Sequence, residues 1–476
     1  MDKLFRIYNS TGRIGNIILL ALLILSGIAN RMFMSIKYRE IDYIIESVLI
    51  VLSLILVRKL FKRSTQVFEK RKLKLFRIIL YTGIALRILF AGHDMINRPV
   101  QDSDYEKHEK LGIRILEEGE FYDFAGVELR NFRQPGLPMM FAAGLKIYNA
   151  PITFSIIMIL FSFGVLVGGY YLFRNLNNIA SILAFAYLSI SPNMLFMASN
   201  SNTQLSFFFF LIILFIILKN FNGKTYQLLI IGALLAAEMY VRFNFIMIFL
   251  LIPFFIEFYK DKKLSFALGK YAIVFAGFLL LYSPWIIRNY MTYGTIRLMP
   301  TTGLGLYSTN MTKDPKKVGD YNGVPDSVLK KYSKLSEVEF DEALKKETFD
   351  FVKENPDVII KSMPFKMMKY SGRQDWTISY FFQFTEYEGD PFMEGLFQSI
   401  ENFLIWMILF YSIFYLWKNK NLGSLSVYIL WSYLVYTMIL MPVTETRSRY
   451  NFPYILFPVI AISLSNGNNI RKEIPD

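Results

Sequence analysis

The sequence predicts an all-α polytopic membrane protein: a bundle of about 12 transmembrane helices with juxtamembrane helices in two large extracytoplasmic segments. Three observations predict it. Of 476 residues, 54% are hydrophobic and only 19% charged, against roughly 45–50% and about 25% in a soluble domain. Apolar runs of about 20 residues, the length a helix needs to cross a bilayer, recur from end to end. Basic residues gather in short turns on alternate sides of these runs, the positive-inside pattern. A soluble α/β enzyme would break its strands every 5–8 residues, roughly, and this chain does not.

Composition also excludes chemistry. There is no cysteine, so disulfides and thiolate metal sites are out. The two histidines, His93 and His108, are too few for a zinc site of the usual composition. The net charge of +14 lies in turns between spans, so no nucleic-acid partner is expected. The first apolar run is followed by charge rather than by small residues, so no cleavable signal peptide is expected. No P-loop, HExxH or complete GxGxxG occurs, which argues against a nucleotide-driven pump or a Rossmann domain.

The expected spans follow in order. The first two cover 14–34 and 41–57. Residues 58–77 then carry nine Lys and Arg against Glu69 alone and predict a cytoplasmic basic loop. Residues 75–91 form the third span and deliver 101–138 outside. Further spans are expected at 151–173, 180–197, 203–218, 226–240, 244–258 and 264–282, the last exiting at Ser283-Pro284-Trp285. A second long outer segment runs to about Gly395. In it Ser336 and Glu339 form a capping box that opens a helix, Asn355-Pro356 ends that helix, and 358–370 lies in the membrane surface. Spans at 398–417, 425–441 and 452–464 complete the bundle, with both termini cytoplasmic. Three regions result: 1–74, an added helix pair and basic loop; 75–464, the main module, whose outer segments are 93–150 and 283–396; and a tail, 465–476.

The polar island 101–138, QDSDYEKHEKLGIRILEEGEFYDFAGVELRNFRQPGLP, is where chemistry is expected. Ser103 and Glu106 are spaced as a capping box, so a helix should begin at Asp104 and stop at Gly119. Asp104 then lies in the first turn, where the helix dipole favours an ionised carboxylate able to accept a proton. The same position equally serves to set the helix start. Asp102 and Asp104 also make a minimal pair for a divalent cation, Mg or Mn. His108, one turn on, reads as a proton relay or as a hydrogen-bonded structural histidine. Arg133, before the rigid Pro135-Gly136 turn, suits a bidentate phosphate clamp or a lipid headgroup. Glu238 and Arg242, four apart near the outer end of a span, can pair on one helix face and line a cavity, or simply pair.

Three stretches carry a family resemblance: DYEKHEKLGIRILEEGEF (104–121) followed by RQPGLP (133–138), SPWIIRNYMTYG (283–294) followed by TTGLGLYSTN, and RYNFP (449–453). In their order and sidedness they resemble GT-C fold glycosyltransferases, the branch of protein O-mannosyltransferases and the lipid A aminoarabinose transferase. The resemblance implies a GT-C-like bundle in a cell membrane, prokaryotic and multi-pass, with an extracytoplasmic active site. It implies inverting transfer of a sugar from a polyprenyl-phosphate donor to a lipid, glycan or protein acceptor. Asp104 falls on the family's catalytic Asp, with Asp102 second in line. Arg133 falls on the donor-phosphate contact. Arg288 and Arg449, with Tyr450 beside it, fall at the outer mouth of the cavity. Two positions depart from the pattern: His108 stands where an aromatic is expected, and Leu137 replaces an aromatic of the turn.

Two other classes remain. A lipid-linked sugar flippase or transporter would bury charge mid-span and repeat its halves, whereas most charge here falls at span ends. A polysaccharide polymerase would gather its arginines in one late loop.

Overall fold

The computed structural model describes residues 2–33, 40–62, 65–96, 103–121, 123–124, 128–129, 133–176, 178–199, 201–242, 264–296, 302–371, 378–379, 382, 391–420, 422–440 and 455–465. Most of these residues are helical, and one short two-stranded pairing occurs that the sequence does not announce. In it Asp123–Phe124 (β1) pairs antiparallel with Glu128–Leu129 (β2), with Asp123 opposite Leu129. Among the described residues, five stretches are long and apolar enough to cross a membrane: Asn9–Ala29, Lys72–His93, Ile152–Phe173, Ser265–Tyr293 and Phe392–Lys418. The chain is an α-helical membrane protein.

The first three helices are α1 (Asp2–Phe33), α2 (Glu40–Lys62) and α3 (Thr65–Ile96). The basic stretch expected as a loop is therefore mostly helix, shared between the end of α2 and the start of α3. Lys and Arg are good helix formers, and nothing there breaks the pattern. Next come α4 (Ser103–Glu117), α5 (Gly136–Ile147) and α6 (Ile152–Phe173). The sequence reading places no helix at α5, a stretch of 12 residues too short to be taken for a span.

The span expected at 180–197 is broken into α7 (Ile179–Ile190) and α8 (Pro192–Phe196). Pro192 has no N–H to donate and pushes Ser191 into an extended conformation, so α7 must end there. Then follow α9 (Thr203–Lys219), α10 (Thr225–Val241) and α11 (Leu264–Tyr293). The 30-residue helix α11 continues through Pro284, past the end expected for this span at 282. Tyr282 and Trp285 are buried against α10 on both sides of the proline, and this packing holds the helix together. The span expected at 244–258 lies outside the described residues.

The second long segment folds as α12 (Gly303–Asn310), α13 (Asp326–Lys331), α14 (Glu337–Glu354) and α15 (Pro356–Tyr370). The Ser336 capping box is present, with the Ser336 N–H donating to Glu339 Oε2 at 3.0 Å. These contacts hold the Glu339 carboxyl below its usual range. Leu304, Tyr307, Phe340 and Leu344 make a small core of their own. The chain closes with α16 (Pro391–Lys418), α17 (Ser424–Leu440) and α18 (Leu456–Leu464).

One continuous apolar cluster runs through α1–α3, α5–α11 and α15–α18. Lipid is as apolar as this core, so helix association depends on close packing and polar contacts rather than on exclusion of water. The α10–α11 crossing shows it. A Cβ at Gly232 would collide with the Val274 carbonyl, and one at Gly277 with the Leu229 carbonyl. Helices α1 and α2 are packed into the bundle as well: Asn16 Nδ2 donates to the Leu430 carbonyl at 2.9 Å, and Trp406 Nε1 donates to Glu46 at 2.6 Å.

Polar contacts tie helices in pairs: Arg13 of α1 to the Leu416 carbonyl of α16, Asn178 before α7 to the Ser463 carbonyl of α18, Lys219 of α9 to the Leu172 carbonyl of α6, and Lys270 of α11 to the Gly223 carbonyl before α10. Helix α4 meets the start of α9 and the last turns of α10 and α11. The hydroxyl of Tyr293 in α11 donates to Glu337 of α14 at 3.1 Å.

Candidate functional site

Helix α4 is polar, and one of its faces is buried. Tyr105, His108 and Leu111 recur at helical spacing and are 8%, 8% and 2% exposed. Gly119, with φ of 70°, stops the helix in the left-handed conformation expected of a C′ glycine. The helix carries Asp104 in its first turn, at the positive end of its dipole. Asp102 lies outside the described residues, as do Arg449 and Tyr450.

Two sets of contacts seat α4. Near its start, Ser201 Oγ donates to Glu109, and Asn202 Nδ2 donates to the Tyr105 hydroxyl at 3.4 Å. Further on, Leu111 of α4 and Phe121 beyond its end join Ala236 and Met239 of α10 and Tyr282 and Trp285 of α11. Arg288 seals this junction. Its guanidinium donates to the Phe121 carbonyl at 2.8 Å and to Asn289 Oδ1 at 2.9 Å, and lies 4.8 Å from the centre of the Trp285 ring. Arg288 is thus a structural clamp on the loop as well as a cation near it.

The Arg133–Gly136 turn meets the end of α10. A Cβ at Gly136 would stand 2.6 Å from the Tyr240 carbonyl, so only glycine lets the turn approach this closely. Val241 ends α10 and Arg242 follows as its C-cap, one turn beyond the fully buried Glu238. The structure therefore assembles the segments carrying Arg133, Arg242 and Arg288 around the loop that carries α4. His108 is buried on the packed face of α4.

Buried charge also occurs well inside helices: Glu46, Arg87 and Glu401 are each at most 5% exposed, and Glu238, in the last turn of α10, is 0% exposed. Arg87 donates to the Ser189 carbonyl at 2.7 Å, to the Leu188 carbonyl at 2.8 Å and to Ser162 Oγ at 2.9 Å. It thereby covers the carbonyl end of α7, where the helix dipole favours a cation. Glu401 receives the hydroxyls of Tyr187 and Ser191 and the Asn193 N–H across the α7–α8 break. The two charges complement the two ends of a broken helix. A Ser-Pro inside one apolar run and a lone Glu inside another were the available signals.

In the second segment, Lys366 of α15 is fully buried with its Nζ 3.5 Å from Asn310 Oδ1. Burial, helped by the neighbouring Lys369 charge, pulls its ammonium down to about 8. Asp341 accepts from the Gly303 N–H and pairs with Lys345 at 2.9 Å, fixing α12 on α14.

Among the described residues no three His, Asp or Glu side chains are grouped to hold a metal ion. The partner position for the Asp102/Asp104 cation pair lies outside them. The chain matches no protein-family model and no curated protein.

Proposed function

We propose that this protein is an integral-membrane glycosyltransferase of GT-C-like architecture, a bundle of about 12 spans. In this reading it moves a sugar, with inversion, from a polyprenyl-phosphate carrier to a lipid, glycan or protein acceptor on the extracytoplasmic face. One observation carries the reading: Arg288 clamps the chain just beyond the polar helix that has Asp104 in its first turn, and the turn that follows Arg133 meets the end of α10, capped by Arg242. Asp104 takes the proton of the acceptor hydroxyl. The acceptor oxygen bonds to the anomeric carbon, and the bond from that carbon to the phosphate oxygen breaks. The electron pair leaves with polyprenyl phosphate, whose charge the guanidiniums neutralise without losing their own protons. Arg449 and Tyr450 complete the mouth of the site in this reading. A Mg or Mn ion at the acidic pair would supply further charge neutralisation. One carboxylate suffices, unlike the pair that glycoside hydrolysis needs.

The test is transfer from a labelled polyprenyl-phosphate sugar in membranes. Asp104→Asn preserves shape and should lower transfer by about 100-fold or more. Activity in Asp104→Asn with none in Asp102→Asn would move the base to Asp102, and activity in both would end the mechanism. A flippase or transporter reading gains from the buried charges in α2, α3, α10 and α16. Three of these are held in static contacts, however: Glu46 by Trp406, Arg87 by backbone carbonyls and Glu401 by hydroxyls. Movement of lipid-linked sugar across liposomes without any transfer would favour that class.

A further inference from the structure

Among the described residues, Glu238 is the one of these four buried charges left without a hydrogen-bond partner. It is 0% exposed, and neither carboxylate oxygen meets a hydrogen-bond donor among the described residues. It also sits in the last turn of α10, where the helix dipole disfavours a negative charge. Burial, missing donors and dipole all oppose a carboxylate here. A native chain rarely keeps such a group without a ligand or an ion to meet it.

A second orphan lies on the segment docked against it. Gln134 is 9% exposed and its Nε2 meets no acceptor among the described residues. Gln134 is two residues before Gly136, whose backbone rests on the Tyr240 carbonyl. Unused acceptors near the end of α10 and an unused donor on the turn that meets that end thus belong to the same junction. A ligand that fits both must donate and accept through the same kind of group, as hydroxyls do. An ammonium could satisfy Glu238 but not Gln134, and Arg242 one turn away disfavours a second cation. Phe121, Tyr240, Tyr282 and Trp285 cluster at the same junction and provide the apolar faces that carbohydrate C–H groups favour.

We infer that Glu238, with Gln134, anchors sugar hydroxyls of the polyprenyl-phosphate donor. The inference rests on the proposed transfer activity but concerns recognition of the sugar, not the chemical step.

The experiment compares equilibrium binding of polyprenyl-phosphate hexoses and pentoses with that of bare polyprenyl phosphate, on the purified full-length protein in lipid nanodiscs. Wild type should bind one sugar-bearing lipid more than about tenfold tighter than the bare lipid, the worth of one or two hydrogen bonds to a charged group. In Glu238→Gln that ratio should fall to near one, while the melting temperature holds or rises, because an unsatisfied buried charge has been removed. Gln134→Ala should lower the ratio too and serves should Glu238→Gln fail to fold. A ratio unchanged in either folded variant overturns the inference, as does a wild type that binds both lipids equally. A wild type that binds neither lipid removes the transfer reading itself, and this inference with it.

Discussion

The Arg288 guanidinium donates to the Phe121 carbonyl at 2.8 Å, across 167 positions of sequence. That bond joins the end of the long helix α11 to the chain just beyond α4. Loop and span therefore move together, and the position of Asp104 depends on a residue far away in sequence. Replacing Arg288 by Ala removes the bond and the contact with Trp285. Unfolding in detergent should show a loss of about 2–4 kcal/mol, from one charge-assisted hydrogen bond and one cation–π contact. Arg288→Lys keeps the charge without the planar fork and should recover less than half of the loss. An unchanged stability in Arg288→Ala would show that the clamp does not hold the loop.

Glu401 gives a second prediction. In Glu401→Ala, the hydroxyls of Tyr187 and Ser191 and the Asn193 N–H lose their common acceptor in a buried setting. The expected destabilisation is about 3–5 kcal/mol, at 1–3 for each stranded group less what water recovers. Glu401→Gln retains one acceptor oxygen and should lose less. Equal loss in both variants would place the effect in the charge instead of the hydrogen bonds.

Lys366 makes stability depend on pH. Its ammonium is pulled from 10.5 to about 8 by burial and by Lys369. Between these values the unfolded chain binds the proton and the folded chain does not, so stability should rise as pH increases from about 8 to about 10. Below pH 8 both states carry the proton, and the folded state bears the full penalty, at most about 3 kcal/mol. Thermal unfolding of wild type and Lys366→Met across pH 7–10 reads this. The variant should lose this part of the rise, and parallel curves would refute the assignment.

Much of the helical pattern was legible because apolar length and turn chemistry act locally. The ends of α9, α10 and α17, the Ser336 capping box and the stop at Gly119 all follow from residues within a turn of the feature. Where sequence reading failed, distant partners intervened. Ser283-Pro284-Trp285 reads as the end of a span, yet the helix runs on through it, packed on α10. Ser191-Pro192 sits in a run apolar enough to pass for a span, yet Arg87 and Glu401 stabilise the two ends of a break there. Phe121 and Trp285 gave no signal as partners, since nothing in a sequence indicates which aromatic edges will meet.

By itself the sequence determined that this is an α-helical membrane protein, because bilayer thickness and the cost of exposed backbone polar groups leave an apolar chain few alternatives. It also determined that a polar helix opens at Ser103 and carries Asp104 in its first turn, through signals confined to the helix itself. Only the tertiary structure decided that this helix is clamped by Arg288 and that the Gly136 turn rests on the end of α10. The same holds for Glu238, buried with its oxygens unmet among the described residues. These outcomes depend on which helix ends come together, and that is set by close packing between segments far apart in the chain.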